Sequence, residues 1–421
     1  MRKMKDSGIE WIGQIPEDWD IWPTKRFFRH TKTFAGEQVD SYERLALTMN
    51  GVIKRSKDDS EGLQPEKFDT YQVLCENELV FKLIDLANVK TSRVGLSPYT
   101  GIVSPAYIIL KNNNRDNRFY YYYFMSMYYN KIFNNLGDNG VRSSLNAQDL
   151  LNIPMVGISH SLQIRIADFL DDKCGKIDRY IEKQQQIIDK LKAYKQAVIT
   201  EAVTKGLDPD VPMKDSGIEW IGEIPEHWKI EKLKYATTIM RGKFSHRPRN
   251  DPDYYDGQYP FVQTGDVARA IKYISTYTQT LNELGYSVSK EFPKGSIVMT
   301  IAANVADVAI LDFNACFPDS VVGFVPEEIK QMYLFYALRS MKQQLLRNAI
   351  ISTQLNLNIE IIKEEFIPIP SEYEQEMISH FIDGKCDEID STISKKQALI
   401  DKITEYKKSL IYEAVTGKLE V

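Results

Sequence analysis

Residues Met4 to Trp19 return as Met213 to Trp228, altered only at Gln14/Glu223 and Asp18/His227. A repeat separated by half the chain means two copies of one unit, and every later assignment has to respect that duplication. A second echo marks the other end of the unit, where Lys173 to Thr204 reappears as Lys385 to Thr416. Between these matched ends the copies hardly resemble each other. The pattern is a duplicated frame holding two different inserts, which suits a frame that docks something symmetric while the inserts read two different things.

The end of each copy carries a helical seam. In the first copy the stripe is Ile177, Ile181, Gln184, Ile188, Leu191, Lys195, Val198 and Ala202; in the second it is Ile389, Ile393, Lys396, Ile400, Ile403, Lys407, Leu410 and Ala414. Alternating steps of four and three are the a/d spacing of a coiled coil. Even the polar interruptions coincide, Gln184 with Lys396 and Lys195 with Lys407, and polar seam positions select one register at some cost in packing. The spacing predicts two helices of about 28 to 30 residues, roughly 42 to 45 Å long at 1.5 Å per residue, pairing antiparallel. Ile187, Tyr194 and Ile199, with Leu399, Tyr406 and Ile411, widen the stripe enough to touch more than one partner. Glycine stops both helices, at Gly206 and Gly417. If a pseudo-twofold relates the copies, the first peptide lies beside the last helix as the second lies beside the first, with Trp11, Trp19, Trp220 and Trp228 as structural clasps.

Composition excludes several classes. With 43% hydrophobic and 26% charged residues the 421-residue chain is neither disordered nor fibrous. No apolar run reaches membrane-spanning length and the first residues are polar, so a cytoplasmic protein without membrane contact is expected. Cys75, Cys174, Cys316 and Cys386 are far apart, without the spacing of a disulfide framework or zinc site, and the repeated Cys174/Cys386 reads as a small buried hydrophobe. A net charge of -5 argues against coating nucleic acid through bulk positive charge. Local basic clusters remain: Arg26, Arg29 and Lys32 in the first half, and Arg241, Lys243, Arg247 and Arg249 in the second.

The inserts are mixed α/β in pattern. Strands are expected at Glu78 to Leu83, Ala106 to Leu110, Ser296 to Ile301 and Val321 to Val325, and helices at Phe119 to Phe133 and Glu328 to Arg347. Two polar segments fall at corresponding places. Leu47 to Val52, with Asn50, faces Val262 to Val267, with Thr264; Arg142, Ser143, Ser144, Leu145 and Asn146 face Ser352, Thr353, Gln354, Leu355 and Asn356. Asn and Gln can pair bidentately with adenine and Arg with guanine, although short polar residues beside glycine are also what ordinary turns need. Arginine and lysine add phosphate anchors, which position without conferring sequence choice.

No Gly-rich phosphate loop ending in Gly-Lys-Ser/Thr and no Asn/Asp-Pro-Pro-aromatic methylation motif occurs, and His30, His160, His227, His246 and His380 form no metal-ligand pattern. No catalytic centre, metal site or cofactor site is read in this chain.

Two variable inserts, two repeated helices ending in Glu-Ala-Val-Thr (Glu201 to Thr204, Glu413 to Thr416), and the Gly-Ile-Glu-Trp-Ile-Gly-x-Ile-Pro-Glu-x-Trp peptide resemble the DNA specificity subunit of type I restriction-modification systems. The likeness covers the whole chain and includes the Asn50-Gly51 and Gly265-Asp266 turns and the Leu145-Asn146 and Leu355-Asn356 pairs. It implies two target recognition domains that each read one half of a bipartite double-stranded DNA sequence, and helices that separate them and bind two methyltransferase subunits. S-adenosylmethionine, ATP and magnesium would then belong to partners, the methyltransferase and restriction subunits. One departure is that the first insert has Arg142-Ser143-Ser144 where the second has the usual Thr-Gln type residues.

The resulting expectation is an α+β fold: 1–19, a repeat peptide packing with the C-terminal helix; 20–158, a first recognition domain; 159–206, a central helical region; 207–228, linker and repeat peptide; 229–370, a second recognition domain; 371–421, a C-terminal helical region. Two other classes compete. A self-contained methyltransferase or nuclease would need the missing cofactor motifs, and a scaffold or antirestriction protein occupying the methyltransferase without DNA would have no need of two different inserts.

Overall fold

The computed structural model describes all residues except 1, 60–67, 85, 87–92, 113–115, 137–143, 349 and 352–354. The fold is α+β and divides into two compact units, Met1–Gln185 with Gln397–Val421, and Gln186–Lys396. Both divisions fall inside long helices, His160–Lys205 and Glu372–Val415. These run to 46 and 44 residues, longer than the seam predicts. The extra turns precede the seam and bury another face: Ile166, Ala167, Leu170 and Cys174 join the core of the first unit, and Ile378, Ile382 and Cys386 that of the second. One continuous helix therefore carries two stripes, and a reading that starts at the first seam residue misses the earlier one.

Each unit builds the same frame. The repeat peptide forms a small antiparallel hairpin, Met4–Asp6 with Gln14–Pro16 and Met213–Asp215 with Glu223–Pro225. The next strand pairs antiparallel with the strand that closes the insert: Asp20–Pro23 with Pro154–Gly157, and Lys229–Lys232 with Phe366–Ile369. Each insert thus begins and ends side by side.

Inside that ribbon the sheets differ. The first insert has a four-stranded sheet ordered Gly51–Arg55, Arg44–Thr48, Gly101–Val103, Gln72–Leu74, and a three-stranded one centred on Leu79–Phe81. The second has a five-stranded sheet ordered Thr237–Arg241, Val321–Pro326, Ile297–Thr300, Val308–Leu311, Tyr273–Ile274. One aromatic-rich helix backs each insert. Arg118–Tyr129 buries Phe119, Tyr120, Tyr123 and Phe124, and Gln331–Ser340 buries Tyr333, Phe335 and Tyr336. The expected Phe119 to Phe133 and Glu328 to Arg347 helices are each broken once, at Asn130 and Met341.

The repeated tryptophans close each unit. Trp228 is buried and donates from Nε1 to Glu374 at 2.9 Å, while Trp19 is buried in the first core beside Ile12 and Ile15. In the first unit Tyr412 Oη and Lys418 Nζ both donate to the Ile12 carbonyl, at 3.0 and 2.9 Å, joining the repeat peptide to the end of the second helix. Gly417 has φ +74°, and a Cβ there would stand 2.6 Å from the Pro16 ring and 2.8 Å from that of Trp19. Only glycine meets both demands, the left-handed stop and the close approach.

Along the seam Ile188, Ile389, Ile400 and Leu410 are buried and Ile177, Ile181, Leu191, Val198, Ile393 and Ile403 are partly buried, whereas Tyr194 and Tyr406 are exposed. The polar seam lysines are paired. Lys195 bonds Asp390 at 2.6 Å in one unit and Lys407 bonds Asp178 at 2.7 Å in the other, and these are the same two positions of the repeat. The lysine side chains are mostly buried while the aspartates keep access to water, so Lys195→Ala and Lys407→Ala should each lower stability by about 0.5 to 1 kcal/mol. Urea unfolding of the full chain checks this; unchanged midpoints for both would mean the pairs are solvated surface contacts.

Candidate nucleic-acid interface

The basic cluster of the second insert is organised by a residue far away in sequence. Arg241 ends its strand and donates from Nε to the Asp319 carbonyl at 2.5 Å. Arg247 Nη2 lies 3.4 Å from one Asp319 carboxylate oxygen and Arg249 Nη2 bonds the other. Arg247 also donates to the carbonyls of Phe244 and His246, both at 2.7 Å. Beneath the loop Phe244, Phe261, Leu281 and Cys316 form an apolar nest, and His246 stacks on Tyr254 at 3.8 Å between ring centroids. Two exposed guanidinium groups share the Asp319 carboxylate and a third holds its carbonyl, with Lys243 exposed in the same stretch, a concentration of cations that suits phosphate. Asp319 was not singled out in the sequence, because more than 60 residues separate it from every arginine it holds and no local pattern marks it.

The other assigned residues scatter. Arg26 is exposed and lies over Trp22, 3.4 Å from the ring centroid, and Arg29 is exposed on a short bridge with Lys111. Asn50 sits at the exposed tip of the hairpin Arg44–Thr48 to Gly51–Arg55, in a different sheet from the ribbon that leads to Arg26. Thr264 is the first residue of the helix Thr264–Arg269, so Gly265-Asp266 is not a turn after a strand. Asp266 instead accepts from the Gln263 N–H at 2.8 Å and caps that helix. The expected match between this segment and the Asn50-Gly51 hairpin therefore does not hold in local structure.

A second alignment also shifts. Asn146 caps the helix Ala147–Asn152, its Oδ1 accepting from Gln148 and Asp149 N–H at 2.8 and 3.0 Å. The residue doing this in the second insert is Asn358, whose side chain accepts from Glu360 N–H at 3.0 Å, not Asn356, which lies in the strand Leu355–Asn356. The leucines before the caps agree, since Leu145 N–H donates to Leu83 and Leu357 N–H to Ile301. The sequence repeats Leu-Asn twice there, and only the cap position before Ile359–Glu364 distinguishes the copies. Arg142, Ser143 and Gln354 lie outside the described residues. Among the described residues no group of His, Cys, Asp and Glu is arranged to hold a metal, and no helix is long and apolar enough to cross a membrane.

Residues 225–405 match the family model described as the type I restriction modification DNA specificity domain. Over 97% of this chain and 96% of the relative, the chain is 25% identical to the putative MjaX specificity subunit of a type I restriction enzyme from Methanocaldococcus jannaschii. The chain is thus similar over nearly its whole length to a specificity subunit of a type I restriction enzyme. It is also 26% identical to the EcoBI specificity subunit of Escherichia coli over 66% of this chain and 60% of that one. A solved chain from work on assembly and conformational transition of the type I R-M system shares the fold, with a TM-score of 0.71 at 13% identity, covering 96% of this chain and 99% of that one.

Proposed function

We infer that this chain is the DNA-reading subunit of a type I restriction-modification complex, in which each insert reads one half of a bipartite target. The single observation that carries the reading is the contrast within the duplication: each unit closes the same lysine–aspartate pair and the same ribbon around inserts whose sheets differ. Identical frames suit identical partners; different inserts suit different half-sites. In this reading the recognition domains are 20–158 and 229–370. The long helices form an antiparallel coiled coil with pseudo-twofold symmetry, and two methyltransferase subunits dock on that symmetry. The chain itself performs no bond-breaking step, and restriction subunits join the assembled complex.

The basic cluster on Asp319 serves as a phosphate anchor. Arg247→Ala and Arg249→Ala should weaken binding to all sequences alike, each reducing the slope of log affinity against log salt by about 1. Filter binding on specific and random duplexes distinguishes this from base reading, in which only the specific affinity would fall.

The decisive experiment compares the purified chain with its complex. Alone, it should neither methylate nor cleave DNA; with a methyltransferase partner it should direct adenine methylation to one bipartite sequence, at two partner subunits per chain by native mass spectrometry. Methylation or cleavage by the chain after co-purified partner has been excluded would overturn the reading. A complex saturating at one partner would remove the symmetric docking.

A further inference from the structure

Two side-chain clusters, one in each unit, stand where an insert meets its long helix, and they close on one residue of the repeat. In the first unit Asp171 accepts from the Tyr122 hydroxyl at 2.6 Å and from Arg118 at 2.5 Å; Arg118 also reaches Asp168 at 2.9 Å. In the second unit Asp383, the same position one copy later, accepts from the Tyr336 hydroxyl and from Lys272 at 2.5 Å. The tyrosines come from the helices Arg118–Tyr129 and Gln331–Ser340 that back the inserts. The cations do not correspond. Arg118 opens the same helix as Tyr122, whereas Lys272 follows a different helix, Thr264–Arg269.

Inserts with different sheets therefore both bring a buried phenol and a cation to the helix aspartate, although Arg118 is shared with Asp116 and Asp168 while Lys272 bonds Asp383. Both phenols are shielded from water and lie against an anion, so burial first and the carboxylate second hold them protonated as donors. A carboxylate bonded by two groups of the insert resists rotation of the insert about the helix axis, as a single apolar contact does not. The repeat keeps this aspartate in both copies, while its neighbour changes from Asp172 to Gly384.

We propose that Asp171 and Asp383 are sockets that fix the angle of each insert on its helix, and that they thereby set how strictly the complex discriminates the number of base pairs between half-sites. This rests on the inserts being the two half-site readers. A shift of a reader by one base-pair step along the axis is about 3.4 Å, so a joint loosened by a few ångströms admits neighbouring gaps. Tyr122, Arg118, Tyr336 and Lys272 are positioning residues in this account and touch no DNA.

The test uses the full chain co-expressed with its methyltransferase partner in a host lacking restriction, with the host genome as probe and modified-base sequencing as readout. Methylated half-site pairs are sorted by gap. The wild-type complex should hold one gap. Asp383→Ala and Lys272→Glu should each raise methylation at gaps one base pair longer or shorter by about tenfold relative to the main gap, the scale of a lost charge-assisted hydrogen bond. The charge-reversed pair Lys272→Glu/Asp383→Lys should restore discrimination, which a merely destabilised fold would not do. Unchanged gap distributions in both single variants, or a loss at all gaps in proportion that charge reversal does not rescue, would overturn the socket. A wild-type complex with no fixed gap would sink the half-site reading on which it rests.

Discussion

Exchanging residues 229–370 for the corresponding insert of a related chain should change one half of the methylated sequence and leave the other half intact. The physical basis is the ribbon of Lys229–Lys232 and Phe366–Ile369, which brings the ends of the insert together, so a replacement does not alter the path of the frame. The core sets a condition. Frame residues Ile199, Ala202, Trp228, Ile378 and Ile382 share one apolar cluster with insert residues Leu233, Ile297, Tyr333 and Leu334. A donor insert must present apolar residues of similar volume there, or the exchange would cost several kcal/mol through cavities before any DNA is read. With that met, the old half-site should be disfavoured by roughly 1 to 3 kcal/mol for each base pair changed, enough over three positions to abolish its methylation. Methylome mapping reads both halves at once. Simultaneous loss of both specificities from a folded exchange variant would show that the inserts do not read independently.

Lengthening both helices by one heptad, after Gln185 and after Lys396, should widen the gap between half-sites while preserving each half-site sequence. Seven residues keep the a/d register and add about 10 Å at 1.5 Å per residue. At 3.4 Å per base pair that is about three base pairs. An insertion at the helix exits would be less informative, since Thr204 and Thr416 are buried there and Gly206 and Gly417 lie against Trp228 and Trp19. A full activity at the original gap would mean that helix length does not set the spacing. A heptad added to only one helix would leave its seam without a matching partner and should abolish methylation.

The frame was legible in the sequence because its physics is periodic and local. Repeated a/d steps, glycine stops and the Trp-containing peptide each act over a few residues, and the same pattern appearing twice removes most of the ambiguity that a single copy leaves. The polar seam lysines were visible as interruptions, yet their partners were not. Asp178 and Asp390 lie outside the a/d stripe and come into reach of Lys407 and Lys195 only when two helices are side by side. The aligned polar segments of the inserts show the opposite limit: the second Leu-Asn pair matched Leu145-Asn146 by composition, while helix capping selects the third and fourth residues of Leu355-Asn356-Leu357-Asn358.

By itself the sequence determined that this is a duplicated frame with two unlike inserts, where its helices stop, and which tryptophans and glycines recur, since each follows from short-range geometry or from identity between copies. Tertiary structure alone decided that Asp319 gathers three arginines and that Asp171 and Asp383 each take a tyrosine and a cation. Those bonds join residues from dozens to more than a hundred positions apart or depend on how a helix face meets its insert, and hydrogen-bonding energy depends on distance and angle in space, which no spacing along the chain encodes.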